Sequence, residues 1–294
     1  MVLLSVSLVA VGALRRLDYV QHGLQPQWLA LGITGFGVLT LFGAGLWRNL
    51  LHALGPSTPR VAGTWIWCAS SLGRYVPTSL LMPVMRMAMC EREGVPKRIC
   101  LASMVYELSF ALTAGFAVGG YFVVELPALS GDVGRFAVVA LPIIALVLLQ
   151  PSVFQPLANR ILTLLGREPL ELALGAGQVL KFVCLYAAFY VIAGLSVYAL
   201  AKSISPVGTD DLATIVGGFA ASTSLSLVAF VFPGGLVARE AAFVVALQPV
   251  MPTAPAIALA IMARLTQLGV EVAFTATGTL IWRSSSRLRD RAAG

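Results

Sequence analysis

Charge is what this chain has least of. Asp, Glu, Lys and Arg make up 11% of its 294 residues, where a soluble domain carries about a quarter. Apolar side chains make up 58%, and the mean hydropathy is +0.88. That balance excludes an ordinary soluble fold and predicts an all-α, multi-pass membrane protein. Histidine is nearly absent as well. His22 and His52 lie in separate loops with no ligand-like spacing to other donors, so no metal site is expected. The four cysteines, Cys68, Cys90, Cys100 and Cys184, form neither a CxxC motif nor a Cys/His cluster. They read as small apolar residues of membrane helices. No GxSxG, P-loop, HExxH or GxGxxG signature stands out, and no polar stretch is long enough for a catalytic domain. Neither enzyme chemistry nor a cofactor is expected.

What charge there is leans basic. The net charge is +7, and seventeen of the twenty basic residues are Arg. In a soluble protein this would point toward nucleic acid. Here the basic residues gather in loops and near the C-terminal end, which is a topology signal, and no nucleic-acid partner is expected. With the tail over 283–294 taken as cytoplasmic and Leu236–Gln248 counted as a short span, the loops carrying Arg48 and Arg60, Arg92, Lys97 and Arg98, and Arg160 and Arg167 fall on the same side. Counting Arg283, Arg287, Arg289 and Arg291, that side holds eleven basic residues against four (Arg15, Arg16, Arg135 and Lys202) on the other. The bias predicts about eight spans in the inner (plasma) membrane with both termini cytoplasmic. The whole chain, 1–294, reads as a single integral membrane domain with a basic tail at 283–294.

The apolar runs give the spans. Met1–Ala13 is apolar but shorter than a crossing and lacks a basic flank, so it reads as a first span whose beginning is missing from this sequence, or a short tilted one, rather than a signal peptide. Gln27–Trp47 is a span with Trp28 and Trp47 as interfacial anchors, followed by a polar linker over Arg48–Arg60. Further spans are Ile99–Val124, Phe136–Leu149, Leu172–Ala201, Leu212–Val231 and Ala256–Trp282. Pro249, Pro252 and Pro255 mark a turn before the last of these. Pro151–Glu171 places Leu157, Ile161, Leu164 and Leu165 at helical spacing among polar residues and reads as an amphipathic helix in the interface.

Two stretches break the apolar pattern in similar ways. The first, 61–90, is interrupted at Gly73, Pro77 and Pro83 and carries Arg74 and Arg86. The span after it holds Glu107, roughly 12–15 Å along the helix axis from its start. The second, 232–248, opens with Pro233, Gly234 and Gly235 between two uncharged runs and carries Arg239 and Glu240. The span after it holds Arg264 and Glu271. Irregular backbone at membrane depth is tolerated where protein or a water-filled cavity surrounds it, and ionisable residues there mark functional sites. Interrupted helices in two parts of a chain are a pointer to a transporter's binding site. The planar guanidinium suits phosphate, so Arg74, Arg86, Arg239 and Arg264 are candidate clamps for an anionic, phosphate-bearing ligand. Glu107, Glu240 and Glu271 would pair with them, or titrate if transport is proton-coupled. Arg264 and Glu271, seven residues apart, share a helix face two turns apart and are expected to face a common cavity rather than each other.

The segment GRYVPTSLLMPVMRMAMCEREGVPKRICLASMVYE (Gly73 to Glu107), together with FPGGLVAREAAF (Phe232 to Phe243), resembles the flippase-like membrane domain of the lysylphosphatidylglycerol synthase family. That domain is also the membrane part of the multiple peptide resistance factor. The resemblance runs from about Arg48 to Trp282, as in a stand-alone member without the soluble synthase domain. Its matching positions are Arg86, Glu107, Arg239 and Glu240. Where the family often shows Gly-Asp-x-x-Arg, this chain has Leu81-Met82-Pro83-Val84-Met85-Arg86, keeping the Arg but not the acid. The resemblance implies movement of a lipid or lipid-linked headgroup between leaflets, not aminoacyl transfer.

Three readings follow in order of weight. The first is a translocase for an anionic phospholipid or a polyprenyl-phosphate-linked lipid. The second is a non-catalytic membrane partner of a separate enzyme in a glycosyl- or aminoacyl-lipid pathway. The third is a small-solute transporter.

Overall fold

The computed structural model describes residues 24–55, 58–75, 81–125, 174–229 and 235–293, with scattered helical positions between 136 and 163. Every regular element among the described residues is helical, as the composition requires. In order they are α1 (Pro26–Ala53), α2 (Arg60–Ser71), a 3₁₀ turn (Leu72–Tyr75), α3 (Leu81–Arg92) and α4 (Lys97–Glu125). Then come α5 (Ala176–Ile204), α6 (Leu212–Ala229), α7 (Gly235–Leu247) and α8 (Thr253–Ala293). Four of these, α1, α4, α5 and α8, are long and apolar enough to cross a membrane, and α6 is a shorter apolar helix. The expected segments 1–13, most of 136–149 and most of 151–171, and the break residues Pro77, Pro233 and Gly234, lie outside the described residues.

Several boundaries differ from the sequence expectation, each for a local reason. The linker expected over Arg48–Arg60 is helical as far as Ala53. Trp47, Leu50, Leu51 and Leu54 recur at helical spacing and are all buried, so the apolar stripe of α1 continues past Arg48. Gly55, at φ 118°, ends it. Pro83 does not break the chain: it is the third residue of α3, where its missing N–H would have had no helical partner. Pro255 is likewise the third residue of α8 rather than part of the preceding turn. The stretch 283–293 is helical and continues α8.

The interruption expected in 61–90 is present, as α2, the 3₁₀ turn and α3. Gly73 serves it by contact rather than by unusual φ. A Cβ there would come within 2.8 Å of the backbone N and Cα of Met82, so only glycine lets the turn pack this closely on the start of α3. After α3, Gly94 at φ 78° reverses the chain, and the Val95 N–H bonds back to the Cys90 carbonyl. Pro96 then opens α4, its carbonyl accepting the N–H groups of Ile99 and Cys100. Asp211 fixes the entry to α6. Its carbonyl accepts the Ile215 N–H and its side chain accepts the Gly208 N–H at 2.9 Å.

The chain divides into two compact units. One comprises Met1–Leu39, Gly115–Val138 and Phe189–Val270; the other comprises Thr40–Ala114, Val139–Ala188 and Glu271–Gly294. The first is the hairpin unit, named for α6 and α7. Its core holds Phe36, Val197, Leu200, Ile215, Phe243, Leu247 and Leu259. Its helices approach closely at glycines, as membrane helices do: a Cβ on Gly119 would sit 2.5 Å from the Ala221 backbone nitrogen, and one on Gly194 2.7 Å from the Val216 Cα. The second is the broken-helix unit, named for α2 and α3. Trp47, Leu51, Ile66, Cys90 and Cys100 are at its centre. Beside them Phe110 of α4 stacks on Tyr106 and, across to α5, on Phe182 and Tyr186.

Candidate functional site

The seven candidate charges sort into two clusters, one in each unit. In the broken-helix unit, Arg86 on α3 is fully buried and is held from three directions. Its Nε donates to Ser70 Oγ on α2 at 2.9 Å, its Nη1 donates to Glu107 Oε2 on α4, and its guanidinium lies 5.1 Å from the ring centroid of Trp47 on α1. Glu107 in turn accepts Trp67 Nε1–H at 3.0 Å through its other oxygen. The knot therefore ties α1, α2, α3 and α4 together. Trp47, expected as an interfacial anchor, is instead buried and donates its Nε1–H to Ser103 Oγ at 3.1 Å. The indole found a buried partner, which the interfacial assignment from its place at the end of the apolar run could not foresee.

Arg74 sits on the 3₁₀ turn of the same unit. Its Nε donates to the Ser71 carbonyl at 2.9 Å, and its Nη2 approaches Glu271 Oε1 at 3.7 Å. The Glu271 side chain is 2% exposed and Arg74 is 32% exposed, so the pair runs from the interior toward the surface of the unit. Removing a carboxylate and a guanidinium from water costs several kcal/mol per ion, which close pairing and further hydrogen bonds must offset. The Arg86–Glu107 pair meets that demand more completely than the Arg74–Glu271 pair does.

In the hairpin unit, Glu240 of α7 accepts Arg264 Nη1–H of α8 at 2.8 Å, with side chains 28% and 19% exposed. Arg239, next to Glu240, lays its guanidinium over the Phe219 ring of α6 at 4.9 Å. Both its Nη groups reach Gln267 Oε1 at 3.4 Å, which is long for a charge-assisted bond. Phe219 meets Phe243 edge to face at 5.5 Å. These residues line a cleft with Ala260: Phe219, Arg239, Glu240, Phe243 and Arg264 form the rest of its wall. Gly235 is the first residue of α7, which puts Arg239 and Glu240 in the second turn after the break.

Arg264 and Glu271 acquire different partners, Glu240 for the one and Arg74 for the other. Sequence reading passed over Gln267, Phe219, Trp67 and Ser70. Gln267 had a legible signal: it is an uncharged polar residue in an apolar span, three residues after Arg264 and so on the same helix face. Phe219 had none, since one more aromatic in an apolar helix is unremarkable.

Both clusters lie on helices of a chain that matches a known membrane domain. A family model described as the lysylphosphatidylglycerol synthase TM region matches residues 1–274. The chain belongs to this family. The four arginines and three glutamates of the two clusters all fall inside the span matched by the lysylphosphatidylglycerol synthase TM region. Membership points to a membrane-lipid role. No curated protein and no solved structure matches the chain.

Proposed function

We propose that the protein moves an anionic lipid, a phospholipid or a polyprenyl-phosphate-linked lipid, between the two leaflets, with the cleft of the hairpin unit as its headgroup contact. The observation that supports this most is the pairing of Arg239 and Arg264 in one cleft between apolar helices, with Glu240 the acid of its wall. Arg264 lies about 16 Å along α8 from Thr253, near the middle of a helix able to span. A phosphate oxygen arriving there exchanges the Glu240 carboxylate for itself on Arg264. It also replaces the long Arg239–Gln267 contacts with shorter charge-assisted bonds, of about 2.7–2.9 Å. Departure of the headgroup restores the internal Arg264–Glu240 pair, so the site binds without trapping.

In this reading the broken segments 61–90 and 232–248 are re-entrant, the chain makes about eight crossings of the plasma membrane, and both termini are cytoplasmic. The protein does no covalent chemistry of its own. The test is interleaflet movement of fluorescent anionic and neutral lipids in proteoliposomes, with wild type set against Arg239→Ala, Arg264→Ala and Glu240→Gln. Movement of the anionic lipid that the Arg variants lose supports the proposal. Wild type no faster than empty liposomes overturns it in favour of a non-catalytic membrane partner, whose enzyme would co-purify.

A further inference from the structure

A run of hydroxyls lies along α6 next to the cleft. Ser222 Oγ donates to the Phe219 carbonyl at 3.0 Å, Ser224 Oγ to the Ala220 carbonyl at 2.8 Å and Ser226 Oγ to the Thr223 carbonyl at 2.7 Å. Thr223 is the exception. Its Oγ1 is buried and has no hydrogen-bond partner among the described residues. A helical threonine ordinarily donates to the carbonyl three or four residues back. For Thr223 those are Ala220 and Phe219, and each already takes a serine hydroxyl in addition to its helical N–H. A carbonyl oxygen has two lone pairs, so neither is left for Thr223. A buried hydroxyl held off its own helix calls for a partner from elsewhere.

Thr223 is not itself part of the cleft wall but lies close to it along α6. Thr223 is one turn beyond Phe219 and on the same face of α6. Phe219 is the ring that carries the Arg239 guanidinium and lines the cleft. In the antiparallel α6–α7 pair, Phe219 meets Phe243. One turn on along α6 and one turn back along α7 therefore bring Thr223 level with Arg239. A phosphate in the cleft thus has, about one helical turn away, a neutral hydroxyl able both to donate and to accept.

We propose that Thr223 is a specificity-determining residue of this site, selecting headgroups in which the alcohol esterified to the phosphate carries further hydroxyls, as glycerol and sugars do. The inference rests on the cleft proposed above as the headgroup contact and deepens it. Arg239 and Arg264 recognise the phosphate; Thr223 reads what is attached to it.

The experiment compares phosphatidylglycerol, phosphatidylinositol and phosphatidylmethanol. All three carry one phosphodiester charge, but phosphatidylmethanol lacks headgroup hydroxyls. Binding to the detergent-solubilised full chain, by displacement of a fluorescent lipid, and interleaflet movement in proteoliposomes are both measured for wild type, Thr223→Val and Thr223→Ser. Wild type is expected to favour at least one hydroxylated lipid over phosphatidylmethanol by about 3- to 10-fold, the range of one hydrogen bond. Thr223→Val should abolish that preference while leaving phosphatidylmethanol unchanged, and Thr223→Ser should keep it. A preference for phosphatidylglycerol alone assigns the site to glycerol; one for phosphatidylinositol alone assigns it to a ring polyol. Equal binding of all three lipids by wild type overturns the inference, and a buried water then satisfies the hydroxyl. An equal loss for every lipid in Thr223→Val also overturns it, because that marks a packing role. A binding preference without any interleaflet movement leaves the subsite standing and overturns the translocation proposal instead.

Discussion

The two clusters use the same residue types for different ends. In the broken-helix unit, Arg86 and Glu107 are deeply placed, and their partners come from two further helices, Ser70 and Trp67 from α2 and Trp47 from α1. In the hairpin unit, Arg264 and Glu240 are both partly exposed in a cleft, with Arg239 held by a ring face and two long contacts. A buried pair held by several further partners resists any change that unpairs it; an open pair can trade one partner for a ligand at small cost. The first arrangement suits a fixed strut between helices and the second suits a binding site, although the sequence presents both as an Arg and a Glu around a broken helix.

The largest expected effect comes from unpairing the strut. Glu107→Ala leaves the fully buried Arg86 without its carboxylate and should cost about 3–5 kcal/mol, read as a large loss of thermal stability in detergent or of folded yield. Glu240→Ala, the matching change in the hairpin unit, should cost about 1 kcal/mol or less because that pair is partly exposed. If the two variants unfold alike, the contrast is gone.

The next effect sharpens the account of the strut. Trp67→Phe removes the indole N–H that Glu107 accepts and should cost about 2 kcal/mol, the value of a hydrogen bond to a charged group. The unfolding midpoint of Trp67→Phe should accordingly lie between those of wild type and Glu107→Ala. Smaller again is the effect of adding one methyl where helices touch. Gly119→Ala must push α4 and α6 apart and should destabilise by about 1–2 kcal/mol. Gly177→Ala, which meets nothing within 4 Å in the first turn of α5, should be neutral or slightly stabilising. Equal midpoints for the two alanine variants would deny that helix approach in the hairpin unit depends on glycine.

Much of this was legible beforehand because composition acts along the whole chain. Scarcity of charge dictated helices, and glycine and proline marked the interruption at 61–90. What was not legible depended on local position or on contacts distant in sequence. A proline pattern does not distinguish the first turn of a helix from its interior, so Pro83 and Pro255 read as breaks although α3 and α8 begin just before them. Pairing was hidden for a similar reason. Helical spacing put Arg264 and Glu271 on one face without naming a partner for either; Arg264 pairs with Glu240 and Glu271 with Arg74, from other elements. Thr223 could not be singled out from Ser222, Ser224 and Ser226 until the carbonyls that those serines occupy were known.

The measurement that bears most directly on the central claim is interleaflet movement of an anionic lipid in proteoliposomes, made side by side for wild type, Arg239→Ala and Arg264→Ala, with thermal unfolding of each protein recorded. Movement well above empty liposomes is expected for wild type, with a fall to near the empty-liposome rate in both variants and unfolding midpoints close to wild type. Anionic-lipid movement that survives both substitutions would contradict that claim, because the cleft of the hairpin unit would then not be where the headgroup binds.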